Sequence, residues 1–205
     1  MKLQKILFGT NSKGKIGEML KHFGNRNWQI YFTKDFKIPE PEETGETFEE
    51  NAVLKAKYYG DLANIPTIAD DSGLVVTQLG NFPGVRTKRF AEEECGSYYK
   101  AFDKINEMLK DFEPPYPIKM VTALAFYNPI KNQIITVNGE IKGTFFYPPK
   151  GDEIEGYGYL PIFLPENSDK TFAELEEDGE NIRDFYRSKI FKELITKLEN
   201  FYIND

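Results

Sequence analysis

The chain has 205 residues, a formal net charge of −7, an isoelectric point near 5.0, one cysteine and one histidine. Its acidity weighs against a binder of duplex nucleic acid, which needs a basic face for the phosphate backbone, and the lone Cys95 and His22 exclude a disulfide framework or Cys/His zinc cluster and leave a histidine-based triad little to stand on. The length fits one domain, residues 1–205, and no apolar run is long enough to span a bilayer, so a cytoplasmic protein with no membrane partner is expected.

The pattern is that of an α/β protein. Lys5–Thr10 reads as a short buried strand, and Ile16, Met19, Leu20 and Phe23 recur at helical spacing after Lys15. A strand over Gln29–Thr33 leads into a loop rich in Pro and Glu, Ile38–Gly45. Thr47-Phe48-Glu49-Glu50 then forms a capping box for a helix reaching about Leu62. Ile65–Ala69 predicts a strand ending at Asp70-Asp71, followed by a second extended run, Leu74–Leu79, and a turn cluster, Gly80–Gly84. A helix is expected from about Ser97 to Lys110. Val121–Tyr127 and Gln133–Phe146, rich in β-branched and aromatic residues, predict a long antiparallel pair that makes the sheet mixed. Gly151–Tyr159 reads as a loop, Thr171–Leu175 as the start of a short helix, and Asn181–Phe201 as a long amphipathic helix.

Three segments carry chemistry. Asp70-Asp71 places two carboxylates side by side. Charges about 4 Å apart repel by roughly 4 kcal/mol at an effective dielectric near 20, so clustered carboxylates need a cation, and magnesium is the natural candidate. A turn-forming pair that caps backbone amides is the plainer alternative. Glu42-Glu43 can join the metal site or serve only the dipole of the following helix. Gly9-Thr10-Asn11-Ser12-Lys13-Gly14-Lys15 has the spacing of a P-loop, but Ile16 stands where a P-loop needs a hydroxyl for magnesium; a different phosphate-binding turn, or an ordinary strand-to-helix turn, fits better. Tyr157 and Tyr159, beside Gly156 and Gly158, can stack on a base or pack in a core. The charged stretch Glu174–Arg187 reads as mostly solvated surface.

Taken in order, Thr10–Lys15, Glu42-Glu43-Thr44-Gly45, Thr47–Ala52, Ala69-Asp70-Asp71-Ser72-Gly73-Leu74, Phe82-Pro83-Gly84-Val85, Gly158-Tyr159, Pro161-Ile162-Phe163 and Thr171–Leu175 resemble the Ham1-like inosine triphosphate pyrophosphatase family over nearly the whole chain. The resemblance implies a two-lobed α/β fold with a long mixed sheet flanked by helices, a homodimer, and magnesium-dependent hydrolysis of ITP, dITP or XTP to monophosphate and pyrophosphate. It implies that Thr10, Asn11, Ser12, Lys13, Gly14 and Lys15 hold the phosphates and that Asp71 is the metal-bound general base. Glu43 completes the metal site, with Glu42 as neighbour or substitute and Asp70 beside it; Ser72 touches substrate, Tyr157, Gly158 and Tyr159 lie at the base, and Lys15 stabilises the transition state. The chain departs from the family at the base-reading end. Leu160 replaces an aspartate, Glu180 a lysine, and Asp184-Phe185-Tyr186 a Ser-His-Arg run, with Arg183 or Arg187 as replacement cations. A pyrophosphatase with altered base choice, or a nucleotide-binding protein without catalysis, are the readings that compete.

Overall fold

The computed structural model describes residues 4–24, 26–153, 157–180 and 182–203, the side chains of 182–186 and 203 excepted. In chain order the elements are β1 (Gln4–Phe8), α1 (Lys13–Phe23), β2 (Trp28–Phe32), the single turn α2 (Thr33–Phe36), α3 (Phe48–Ala63), β3 (Thr67–Val76), the two-residue β4 (Phe82–Pro83), the turn α4 (Thr87–Arg89), α5 (Tyr98–Met108), β5 (Pro117–Asn128), β6 (Gln133–Phe145), β7 (Phe163–Pro165), α6 (Phe172–Glu177) and α7 (Ile182–Ile203). Among the described residues the strands form one seven-stranded sheet in the order β2-β1-β3-β5-β6-β7, with β4 on β3. β1 pairs in parallel with β2 and β3, whereas β3–β4 and β6–β7 are antiparallel, so the sheet is mixed as predicted. No helix among the described residues is long and apolar enough to cross a membrane.

The chain divides into two compact units, Met1–Asp71 with Thr122–Gly139 and Arg187–Asp205, and Ser72–Val121 with Glu140–Tyr186. In the first unit, the capping box reads out as predicted. Glu50 N–H donates to Thr47 Oγ1 (3.1 Å) and Thr47 N–H donates to Glu50 Oε2 (3.0 Å), which stabilises the start of α3 by about 1 kcal/mol. The buried face of α3 is lined by small residues: Ala52 and Ala56 pack with Ala69, Ala123 and Ala125 of the strands and with Tyr127. The small residues leave room for the Tyr127 ring, and a Cβ on Gly60 would meet that ring at 2.9 Å. In the second unit, α5, α6 and the strand segments enclose a core that includes Phe102, Ile105, Ile118, Phe163 and Phe172.

Two expectations are corrected. The strand does not stop at the aspartates, because β3 runs without a break from Thr67 through Val76, with Leu7↔Thr67 and Phe8↔Ile68 pairing at its start and Val75↔Pro83 and Val76↔Phe82 at its end. Ladder partners on both sides override the local turn signal of Ser72-Gly73. Of the second extended run only Leu74–Val76 is strand; Thr77–Leu79 is a 3₁₀ turn closed by Gly80 at a left-handed φ of 64°.

Candidate active site

The site begins where β1 ends. Phe8 is its last residue and pairs with Ile68, so Asp70 and Asp71 lie on β3 beyond the carboxyl end of its parallel neighbour, the position at which open α/β sheets accept ligands. The chain leaves β1 through a turn that needs glycine first. Gly9 N–H donates to Ile68 O at 2.7 Å, and a Cβ there would meet Tyr59 Cδ2 at 2.9 Å and Thr67 Cγ2 at 3.1 Å. Ser12 caps α1, its Oγ accepting from Lys15 N–H (3.5 Å), while Ser12 N–H donates to Thr10 Oγ1 (3.2 Å). Thr33 Oγ1 donates to Thr10 O (3.3 Å) and pairs with Asn11 Oδ1, and Asn11 Nδ2 donates to Glu40 Oε1 (2.9 Å). The Thr10–Lys15 segment is thus a pinned strand-to-helix turn, with Lys13 and Gly14 in the first turn of α1.

Successive side chains of a strand point to opposite faces, and the two aspartates obey this rule. Asp70 Oδ2 receives Lys15 Nζ at 2.8 Å and, at 3.5 Å, Nη2 of Arg187. Asp71 meets α3 instead: Lys55 Nζ lies 3.1 Å from its Oδ1, and Asn51 Nδ2 donates to its Oδ2 at 3.3 Å. Lys55 Nζ also lies 2.6 Å from Glu43 Oε1, and Asn51 Oδ1 accepts Gly45 N–H at 2.7 Å, so α3 holds both the acidic loop and Asp71. The cations that balance the paired aspartates are therefore side chains of this chain, one set on each face of the strand.

Burial makes these charges matter. Asp70 is 2% and Asp71 6% exposed. Burial pushes Asp70 up, but Lys15, then Arg187 and Lys55, outweigh it and hold the carboxyl down at about 2. Asp71 moves the other way: burial raises its pKa, with Glu43 adding to the effect and Lys55 opposing it. For Lys55 burial works downward, but Asp71, Asp70 and Glu43 together raise its pKa, so it is charged at any working pH. Two adjacent carboxylates with displaced and opposite pKa shifts are the pattern that divides roles, one a fixed charge and one a stronger base. Asp70 Oδ1 is buried with no hydrogen-bond partner among the described residues.

Of the residues singled out in the sequence, this constellation brings together Thr10, Asn11, Ser12 and Lys15 on one side and Glu43 and Asp71 on the other, all within the first unit. Glu42 and Lys13 are exposed, so of the two loop glutamates Glu43 is the one held against Asp71 through Lys55. Ser72 follows Asp71 on β3 and is half-buried. Tyr157 and Tyr159 are 3% and 6% exposed within the core of the second unit, and a Cβ on Gly158 would collide with the Tyr98 ring. That is the core-packing alternative for these tyrosines. Gly156 and the side chains of Arg183, Asp184, Phe185 and Tyr186 lie outside the described residues. Arg187 is corrected from solvated surface to buried, 2% exposed, because Glu18, Thr122 and Asp70 surround its guanidinium.

Sequence reasoning passed over Lys55 and Asn51. The signal was present as the polar stripe Asn51, Lys55, Tyr59 at i, i+4, i+8 along the buried face of an otherwise alanine-lined helix.

The sequence matches the Ham1 family over residues 6–196. It is 35% identical over 196 residues to the dITP/XTP pyrophosphatase of Haemophilus influenzae, covering 95% of this chain and 99% of that one. It is 32% identical to the dITP/XTP pyrophosphatase of Agrobacterium fabrum, covering 93% and 94%. Among solved structures, a HAM1 protein from Coxiella burnetii superposes with a TM-score of 0.85 at 27% identity, over 96% of this chain and 99% of the other. The Ham1 protein of Staphylococcus aureus gives 0.82 at 28% identity, over the same shares.

Proposed function

Since this chain belongs to the Ham1 family, we propose that it is a nucleoside triphosphate pyrophosphatase that hydrolyses ITP, dITP and XTP to the nucleoside monophosphate and pyrophosphate, clearing non-standard purines from the nucleotide pool. The observation that carries the reading is the Lys55 ammonium set between Glu43 and Asp71 (2.6 and 3.1 Å), across β3 from the Lys15–Asp70 pair.

The chemistry follows from the charges. Lys15 and the amides at the start of α1 receive the phosphates, as a helix N-terminus favours anions. Asp71, oriented by Asn51 and Lys55, accepts the proton of the attacking water. As water bonds to phosphorus, the bridging bond between the α and β phosphorus atoms breaks, releasing pyrophosphate and leaving monophosphate. The raised pKa of Asp71 makes it a stronger base than an ordinary carboxylate, while Lys15 and Lys55 remain as fixed positive charge for the transition state.

A divalent metal fits these residues. No group of three or more His, Cys, Asp or Glu side chains among the described residues is arranged to hold a metal alone. Mg²⁺, however, commonly takes one or two carboxylates and completes its shell with water and substrate phosphate. Glu43 and Asp71 converge on a point already occupied by a cationic group, and the buried Asp70 Oδ1 lacks a partner among the described residues. Glu43 and Asp71 would hold Mg²⁺, with Asp70 close by; when bound, it supplies charge neutralisation to the phosphates. Ser72, Tyr157, Gly158 and Tyr159 are assigned to substrate on the family resemblance, as are the homodimer and the cytoplasmic location.

A panel of ITP, dITP, XTP, GTP and ATP with Mg²⁺, followed by chromatography, tests the proposal. Consumption of the inosine and xanthosine nucleotides that stops on chelation is expected. No consumption of any triphosphate by folded protein would leave nucleotide binding without catalysis as the better reading.

A further inference from the structure

Resting on the metal-dependent function proposed above, we infer that Lys55 competes with the divalent ion: its ammonium fills the place between Glu43 and Asp71 in the free protein, so that the metal enters with the triphosphate instead of residing in the site beforehand. Lys55 stands on α3, and its Nζ lies 2.6 Å from Glu43 Oε1 and 3.1 Å from Asp71 Oδ1. These are the two carboxylates assigned to the metal. The Lys55 side chain is 12% exposed and that of Asp71 8%, so little water screens the contact. Burial opposes the charge on Lys55, but Asp71, Asp70 and Glu43 outweigh it and keep the amine protonated.

The carboxylates are held while the lysine is free to move. Asn51, fully buried one helical turn before Lys55, donates from Nδ2 to Asp71 Oδ2 (3.3 Å) and accepts Gly45 N–H on Oδ1 (2.7 Å), which fixes both Asp71 and the loop that carries Glu43. Lys55, in contrast, is a point charge on a flexible four-carbon stem. Two cations cannot share the same two oxygens at short range without strong repulsion. Yielding its place to a divalent ion alone would strand the ammonium unpaired in poorly hydrated surroundings, which is costly. Yielding it to an ion that comes with a triphosphate gives Lys55 a new partner, the phosphate oxygens. Metal affinity thereby becomes conditional on substrate. The sign of the effect separates this role from ordinary support of the ligands: neutralising Lys55 should tighten metal binding, whereas losing a group that merely positions the carboxylates would weaken it.

The test titrates the whole protein with Mn²⁺, which takes the same oxygen ligands as Mg²⁺, at pH 8 with no nucleotide or phosphate present, the free ion being read by electron paramagnetic resonance. The wild type should bind weakly, and Lys55→Met and Lys55→Gln, each checked for folding by circular dichroism, should bind at least about 10-fold more tightly, since one repelling charge is gone. Lys55→Arg keeps the charge and should stay close to the wild type. Neutral variants that bind Mn²⁺ no better than the wild type, or worse, would overturn the inference. If neither neutral variant folds, the wild type decides: weak binding supports the inference, and saturation at micromolar Mn²⁺ without phosphate overturns it. None of these readings needs turnover. A wild type that hydrolyses no triphosphate would remove the proposed function, while the Mn²⁺ affinities would still report on Lys55.

Discussion

Lys55→Met removes the ammonium that lies 2.6 Å from Glu43 Oε1 and 3.1 Å from Asp71 Oδ1 while keeping an unbranched side chain on α3. Unit charges about 3 Å apart attract by about 5 kcal/mol at an effective dielectric of 20, which is an upper bound. The Lys55 and Asp71 side chains are only 12% and 8% exposed, so screening by water is modest; Glu43, at 31%, shares the lysine and takes part of the energy. With about 1–3 kcal/mol left to Asp71, its pKa should climb further when the cation goes. Burial and Glu43 already raise that pKa and Lys55 opposes them, so removing Lys55 leaves the two upward effects unchecked. More of Asp71 is then protonated at any given pH and unable to accept the proton of water. The assay is kcat/KM for ITP as a function of pH. The acid limb should move to higher pH, and on its acid side activity should fall by about 10–10²-fold, the factor that about 1–3 kcal/mol allows. An acid limb at its wild-type position, with kcat unchanged, would refute the claim that Lys55 sets the charge state of Asp71.

Asp70→Asn should weaken resistance to acid. The folded pKa of about 2 lies below the ordinary 3.8, so the unfolded chain binds more protons between those values; the stabilisation is complete above pH 3.8, is lost as pH falls toward 2, and amounts to roughly 2 kcal/mol. Urea midpoints measured across that range should fall with pH more steeply for wild type than for the variant, and equal slopes would contradict the assignment. Gly9→Ala should destabilise by about 1–3 kcal/mol, because its Cβ would meet Tyr59 Cδ2 at 2.9 Å and the Thr67 and Ala69 side chains at 3.1 and 3.2 Å; a melting temperature at or above wild type would show that the turn yields freely. Discrimination between ITP and ATP should stay well below the 10⁴–10⁵-fold of a site that leaves buried polar groups unpaired with the wrong substrate, since Leu160, fully buried and apolar, stands where the family resemblance implies a carboxylate. A kcat/KM ratio in that higher range would mean that other residues read the base.

What could be read from the chain beforehand was what local chemistry decides. The capping box at Thr47–Glu50, the strand-to-helix turn at Thr10–Lys15 and the long pair β5–β6 each follow from a pattern of a few neighbouring residues. The continuity of β3 through Asp70-Asp71 was hidden because Ser72-Gly73 is a turn signal by itself and the ladder partners that overrule it lie elsewhere in the chain. The charge balance was hidden for the same reason. Adjacent aspartates pointed to an external cation, whereas Lys55 is 16 residues from Asp71, and Arg187 is 117 residues from Asp70 and 169 from Glu18. Only the fold brings those opposite charges within reach. A charged stretch ending at Arg187 looked solvated because nothing in its neighbourhood reveals that its last member turns inward.

The central claim is most directly tested by identifying the products of ITP hydrolysis with Mg²⁺ for the wild-type protein and for Asp71→Asn, whose amide keeps the size of the carboxylate but cannot take a proton. The account predicts inosine monophosphate and pyrophosphate in equal amounts from the wild type and a rate lower by about 10²–10⁴-fold in the variant at unchanged fold. Inosine diphosphate and orthophosphate as the products, or a variant as fast as the wild type, would contradict it.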